Sequence, residues 1–310
     1  MDVNLGLISL TISIFFIVIL QKIFLKNNII DKINARSSHS TVSTRTGGVS
    51  VFSTLLIISV YYYLIGYVIY DFSLIVPLTI LLAVGLYDDI HNIDFKLKFI
   101  FQIVAAKIII DNGLIIDNLH GVIGLYEIGR VTSQLLTIFI IVAIINAINF
   151  IDGIDGLAIS TIIFFIICFE FFIKTQSPFI NLSNVLVFGL IPLYYFNFKS
   201  NNKIFLGDSG SLFLGGLVSI YVVYILNNEY IIKEAYDLNK IIFIFSILTY
   251  PILDITRVFF IRLYNGNSPF IADKNHIHHH LIRKLKSHSL AVALIFLVNI
   301  ILIIFLQLIF

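Results

Sequence analysis

The residue types that can do chemistry fall in a few short segments separated by long apolar runs. Asn146, Asn149 and Asp152 recur every three residues, which in helical geometry makes one polar stripe at the end of an apolar run. A polar stripe at membrane depth lines a site or cavity. Gly153 and Gly156, on either side of Asp155, then let backbone approach a ligand closely or simply turn the chain at a helix end. In Gly207-Asp208-Ser209-Gly210-Ser211 one acid opens another apolar run, where free N–H groups and the helix dipole can hold phosphate oxygens. Asp208 reads as a metal ligand there, with an N-cap role for Asp208 or Ser209 as the plainer alternative. Asp88-Asp89 closes a third run with Lys96 and Lys98 close behind, so the pair is either a solvated helix end or part of a phosphate-binding group. His276-Ile277-His278-His279-His280 suits phosphate contact, because a protonated imidazole donates two hydrogen bonds. Zinc is the alternative, although consecutive histidines on one segment cannot supply a tetrahedron unaided. The stretch from Arg36-Ser37-Ser38-His39 to Thr44-Arg45-Thr46-Gly47-Gly48 is a polar basic loop that would equally attract anionic lipid headgroups.

What must position these residues is written in the composition. Of 310 residues, 59% are apolar and only 12% charged, and the mean hydropathy is +1.00, values that exclude an ordinary soluble domain. With 29 Phe and 15 Tyr the chain carries far more apolar surface than a disordered one. A net charge of +2 gives no basis for nucleic-acid binding, so any charge-based function is local. The sole cysteine, Cys168, sits inside an apolar run and makes no internal disulfide. Runs long enough to span a bilayer lie near 4–25, 47–70, 72–88, 97–116, 132–150, 157–175, 179–197, 209–227, 241–263 and 288–309. The expectation is an all-α, polytopic membrane protein of about ten helices, one domain over 1–310 with no appended soluble domain. Its first run, lacking a small-residue cleavage site, is read as a retained helix.

With about ten spans both termini share a side, and the positive-inside rule orients them. One set of helix ends and loops holds 15 of the 20 Lys and Arg: Lys22, Lys26, Lys32, Arg36, Arg45, Lys96, Lys98, Lys199, Lys203, Arg257, Arg262, Lys274, Arg283, Lys284 and Lys286. The other set holds Lys107, Arg130, Lys174, Lys233 and Lys240. The first set is therefore expected in the cytoplasm and both termini outside. Asp88, Asp89, Asp152, Asp155, Asp208, Asp254 and Asp273 then meet at the cytoplasmic face. Carboxylates gathered at such a boundary repel one another unless a cation or donors neutralise them. Oxygen-only ligands favour Mg2+ or Mn2+, and Mg2+ is commonly held by few protein ligands plus substrate phosphates.

These motifs, in this order from Asp31 to Leu281, resemble the polyprenyl-phosphate N-acetylhexosamine-1-phosphate transferases. The resemblance rests on the Arg36-to-Gly48 loop, Asp88-Asp89, Asn146 to Ala158, Gly207 to Ser211, and Pro251-Ile252-Leu253-Asp254 through His276-Ile277-His278-His279. The form of the histidine motif is similar to the N-acetylglucosamine branch rather than the lipid I branch. It implies Mg2+-dependent transfer of a sugar 1-phosphate from a UDP-sugar to undecaprenyl phosphate, on the cytoplasmic face of the bacterial inner membrane, releasing UMP. It implies Asp208 and Asn149 at the metal, Asn146 in the nucleotide environment, and Asp88 and Asp89 binding or deprotonating the acceptor phosphate. Asp152 and Asp155 would serve nucleotide-sugar binding or catalysis. His276, His278 and His279 would hold the pyrophosphate, with Lys98 and Lys203 as further phosphate contacts. N-acetylglucosamine is the expected sugar, with N-acetylgalactosamine, N-acetylfucosamine or N-acetylquinovosamine as alternatives; the product would start a cell-envelope polysaccharide such as O-antigen. A homodimer is what family habit suggests. The sequence departs from the family pattern where Ile33, Val42 and Thr44 replace prolines, and at Asn201-Asn202 before Phe205. An ion-coupled transporter is the reading from another class, but such sites lie near the midplane, on helices broken in matching halves.

Overall fold

The computed structural model describes residues 3–31, 42–122, 124–199, 201–227, 230, 232, 238–266 and 276–309. Arg36 to His39 of the first loop, with Lys32, Lys233, Asp273 and Lys274, lie outside the described residues. Every apolar run forms helix: α1 (Val3–Lys26), α2 (Gly47–Leu64), α3 (Ile75–His91), α4 (Phe95–Asp111), α5 (Arg130–Ile151), α6 (Leu157–Phe172), α7 (Ile180–Phe198), α8 (Gly207–Leu226), the pair α9 (Leu238–Ile247) and α10 (Thr249–Tyr264), and α12 (His288–Ile309). A short α11 (Ile277–Leu285) carries the histidines. The chain is an all-α polytopic membrane protein. Among the described residues seven helices are long and apolar enough to cross a bilayer, or eight if α9 and α10 make one crossing. The expected ten exceeds this because α4 and α6, at 17 and 16 residues, are short of a full span.

The run at 241–263 is not one straight helix. It bends by 75° between α9 and α10. Pro251 explains the position: its ring excludes the carbonyl of the residue four back, which is Ile247, the last residue of α9. Thr249 Oγ1 then donates to the carbonyls of Phe245 and Ser246, so the groups freed by the break are satisfied within the protein.

α8 is the axis of the bundle. Each of its residues except Asp208 is buried, under α2, α3, α5 and α6. Its entry is fixed by two short parallel strands, β1 (Ser43–Thr44) and β4 (Lys203–Ile204), with Ser43 opposite Lys203 and Thr44 opposite Ile204. The pairing continues past the strands: Phe205 N donates to Thr44 O, Gly47 N to Phe205 O and Gly48 N to Leu206 O. The starts of α2 and α8 therefore run side by side. A Cβ on Gly48 would lie 2.1 Å from the Gly210 nitrogen, and one on Gly85 of α3 would lie 2.3 Å from Asp208 O, so both contacts are backbone against backbone. At the opposite end a hairpin of β2 (Asn118–Val122) and β3 (Leu125–Glu127) packs near the end of α8, where His120 Nε2 lies 2.7 Å from Leu226 O.

Because neither contact can relax by rotating a side chain, Gly48→Ala and Gly85→Ala are each expected to cost more than the ~1–3 kcal/mol usual for overpacking. The check is the melting temperature of each variant in detergent. Gly129→Ala, in open space at φ −64°, is the comparison for glycine loss without a clash.

Candidate active site

The centre of the site is the first turn of α8. Helix starts leave N–H groups without partners, and this one lies inside the bundle. Asp89, from the last turn of α3, supplies them: its Oδ1 accepts from Asp208 N and its Oδ2 from Ser209 N, each at 2.9 Å. Gly207 turns the chain into α8 with φ +75°, and a Cβ there would lie 2.6 Å from Asp89 Oδ2. Arg45 Nη1 stands 3.5 Å from Asp89 Oδ1 while its Nη2 holds Asp31 at 2.8 Å. The N–H groups that the sequence reading offers to phosphate are thus occupied by a carboxylate, and the cap comes from Asp89 rather than from Asp208 or Ser209.

Asp88 faces the other way. Its Oδ1 accepts from Ile93 N at 2.8 Å, closing the turn between α3 and α4, and its Oδ2 accepts from Lys98 Nζ at 2.8 Å. Lys98 Nζ also reaches Asp208 Oδ2 at 2.8 Å, so one ammonium bridges two acids from separate helices.

The predicted stripe on α5 is present, and each member is oriented. Asn146 exchanges hydrogen bonds with Gln102 of α4 and also donates to Val142 O. Asn149 Nδ2 donates to Ser211 Oγ at 2.8 Å, which leaves its carbonyl oxygen to the site. Asp152 follows the last turn, where burial and then the nearby charges of Asp208 and Asp89 push its carboxyl well above the usual range. These groups converge on a cavity of about 340 Å³ whose polar lining includes Lys98, Asn146, Asn149, Asp152, Asp208, His276 and His279. Phe95, Phe99 and Phe150 form its apolar walls.

Five expected site residues do not line this cavity: Asp88 and Asp89, engaged as described above, and Asp155, Lys203 and His278. Lys203 Nζ binds Asp155 Oδ2 at 2.6 Å, and His288 Nδ1 reaches the same oxygen at 2.8 Å. Burial raises the Asp155 carboxyl, but these two hydrogen bonds outweigh it and hold the group below the usual range. The cluster ties the loop after α5 to β4 and to the start of α12. His278 is fully buried, with Nδ1 2.8 Å from Tyr250 OH. Burial, reinforced by the neighbouring His279 and His276, lowers it to about 3, so it stays neutral.

Other contributors escape a reading by motif. Gln102 is one helical turn beyond Lys98 on α4, a spacing that places both on one face and is the signal that could have found it. Ser211 and Arg45 lie within motifs but without a role of their own there, and His288 lies in none; their roles exist only through contacts distant in sequence. Asp254, within a motif but without a role of its own, is fully buried, and His276 Nδ1 lies 2.7 Å from its Oδ2.

Comparison with known proteins agrees with this geometry. The sequence model of glycosyl transferase family 4 matches residues 71–226, which hold Asp88, Asp89, the α5 stripe and Asp208. The chain is 31% identical over 301 residues to a probable undecaprenyl-phosphate N-acetylglucosaminyl 1-phosphate transferase of Bacillus subtilis, covering 94% of this chain and 80% of the relative. It is 29% identical over 294 residues to the undecaprenyl-phosphate alpha-N-acetylglucosaminyl 1-phosphate transferase of Salmonella typhi, covering 89% and 76%. A decaprenyl-phosphate N-acetylglucosaminephosphotransferase of Mycolicibacterium smegmatis is 30% identical over 236 residues, covering 70% and 58%.

Removing one partner of the Asp155–Lys203 pair leaves a buried charge, so Lys203→Met is expected to destabilise the protein by about 3–5 kcal/mol. A carboxyl held low in the folded state contributes stability above its unfolded value near 3.9, and that contribution is lost as pH falls through the lower folded value. Wild-type melting temperature is therefore expected to drop below about pH 4 more steeply than that of Asp155→Asn. Equal slopes in a pH series of melts would contradict this assignment.

Proposed function

The chain belongs to glycosyl transferase family 4, and on that premise we propose that it transfers N-acetylglucosamine 1-phosphate from UDP-N-acetylglucosamine to undecaprenyl phosphate, releasing UMP. The observation that carries the reading is the junction of the polar cavity with an apolar groove. A groove of about 550 Å³ between α5 and α10 shares Phe99, Asn146, Phe150 and His276 with the polar cavity. It in turn shares Phe139, Ala143, Ile255 and Thr256 with an apolar cavity of about 360 Å³, which extends to Asn118 and Leu119 in the hairpin at the far end. An acceptor with a charged head and a long isoprenoid tail requires a polar and an apolar compartment in contact.

The donor set suits Mg2+. Asp208 is the only residue of α8 that is not buried, Asn149 turns an amide oxygen toward the same cavity, and both offer the hard oxygen ligands this ion takes. Asp88, Asp89, Asp152 and Asp208 outnumber the cations Lys98 and Arg45, which leaves room for added positive charge. Held by Asp208 and Asn149, the ion would offset the donor's diphosphate charge and the charge growing on departing UMP.

The protein's own groups do the rest. Lys98, immobilised by Asp88 and Asp208, presents a fixed ammonium to the phosphates, and preorganised charge of this kind is what stabilises a phosphoryl-transfer transition state. His279 adds a donor on the same wall. Asp152, on the wall of the same cavity, is placed to hydrogen-bond the sugar nucleotide. Asp155 and Lys203 act by holding the loop that carries Asp152 and Gly153. By the positive-inside rule the loop set with 15 of the 20 Lys and Arg is cytoplasmic, and we place the cavity, lined by Lys98 of that set, on the same side, where UDP-sugars are found.

UMP release by purified protein with undecaprenyl phosphate and a panel of UDP-N-acetylhexosamines tests this directly. Magnesium-dependent release with UDP-N-acetylglucosamine is expected, reduced by about two orders of magnitude in Asp208→Asn. Folded protein that releases nothing from any donor, with or without Mg2+, would refute it.

A further inference from the structure

The polar cavity and the apolar groove meet at four residues, Phe99, Asn146, Phe150 and His276. If the acceptor's tail occupies the groove, its phosphate must stop at this junction, beside these side chains. Two are phenyl rings, and the amide of Asn146 is committed to Gln102 and to Val142 O. Only His276 among the four carries a ring nitrogen able to accept a proton.

His276 is held for that task. Its ring is 5% exposed and lies between Phe150, with centroids 5.8 Å apart, and His278, 5.3 Å away and 11° from parallel. Asp254 sits behind it, fully buried, with Oδ1 accepting from Ile277 N at 2.8 Å and Oδ2 2.7 Å from His276 Nδ1. A buried carboxylate can only accept, so Nδ1 carries the proton and Nε2 is the nitrogen left for the junction. This is the arrangement by which a carboxylate fixes the tautomer and direction of a catalytic imidazole. Asp152 and Asp208 line the polar cavity but not the groove, and the remaining acids of the site are otherwise engaged. Asp89 spends both oxygens on the start of α8, and Asp88 spends its own on Ile93 N and Lys98. His279 lines the polar cavity but not the groove, and His278 lines neither.

We propose that His276 Nε2, oriented by Asp254, takes the proton of the lipid acceptor's phosphate as that phosphate attacks. The inference rests on the transferase reading and adds the group that activates the nucleophile. A phosphate monoester loses its second proton near pH 6, so a fraction reaches the site protonated. The P–O–H proton passes to Nε2, the freed oxygen forms a bond to the phosphorus bearing the sugar, and the bond from that phosphorus to UMP breaks, its electron pair leaving with UMP. The proton then returns from Nε2 to UMP or to water. Asp254 stays ionised throughout and is a positioning residue. Among the described residues, Arg257, Arg262 and Tyr250 of α10, Lys98, Asp152 and Asp208 across the cavity, and His278 and His279 of α11 are the other charged or titratable groups around the pair.

Chemical rescue separates a base from a structural histidine. His276→Gly is expected to lower kcat for UMP release by about 100-fold or more, with KM for the UDP-sugar changed by less than about threefold. Added imidazole should then restore activity saturably, as a small base filling the vacated space. Asp254→Asn should also lose kcat, respond little to imidazole, and add no further loss to His276→Gly, while Asp254→Glu recovers part of the activity. Absence of rescue, or losses that multiply in the double variant at unchanged melting temperature, would overturn the proposal. If wild-type protein is inert with every donor, it is the transferase reading that fails. The pair is then judged by 15N-histidine spectra, where an Nδ1–H signal lost in Asp254→Asn supports it and its absence from wild type refutes it.

Discussion

A helix that starts in the interior of an apolar bundle must find partners for its first N–H groups without water, and this structure is arranged around that requirement. Asp89 meets it for α8 by crossing from α3 and spreading one carboxylate over two backbone amides. The choice brings a charge into the protein, which draws Arg45 to it and requires Gly85 and Gly207 where the backbones come close. Once α8 is seated, Asp208 is fixed at the one place on that helix that opens to the polar cavity. The position of the reactive carboxylate thus follows from a helix-capping problem solved by its neighbour.

The acids and histidines divide into groups that face the substrate and groups that hold those in place. Asp208, Asp152, His276 and His279 reach the cavity, whereas Asp89, Asp155, Asp254 and His278 lie behind it. Four polar groups in front have a partner identified behind or beside them: Asn149 has Ser211, Asn146 has Gln102, Lys98 has Asp88, and His276 has Asp254. Such pairs lock rotamers by hydrogen bonds that do not depend on substrate, so little reorganisation is left to the moment of reaction.

Much of this was legible in the linear sequence because membrane proteins make polar residues conspicuous. The helices could be read from apolar runs, though two of the ten are too short to span, and the i, i+3, i+6 stripe of Asn146, Asn149 and Asp152 falls on the cavity as helical geometry requires. The limits have physical causes. Pro251 was visible, but a 75° bend depends on whether neighbouring groups satisfy the freed carbonyls, as Thr249 does here. A carboxylate has the same appearance in sequence whether it caps a distant helix, as Asp89 does, pairs with a lysine 48 residues away, as Asp155 does, or faces a cavity. Neighbours within one segment are readable; which segments lie against each other sets the role, and that is not.

Lys98 has a consequence for how the molecule is made. Zinc fingers and similar metallodomains cannot fold until their ion arrives, because the ligands are otherwise uncompensated. Here an ammonium of the chain itself already bridges Asp88 and Asp208, and Arg45 lies beside Asp89. The bundle can therefore assemble during membrane insertion without waiting for a divalent ion. Were the proposed Mg2+ removed, the loss would fall on turnover while the architecture stood, and metal supply would be a control separate from the protein's survival.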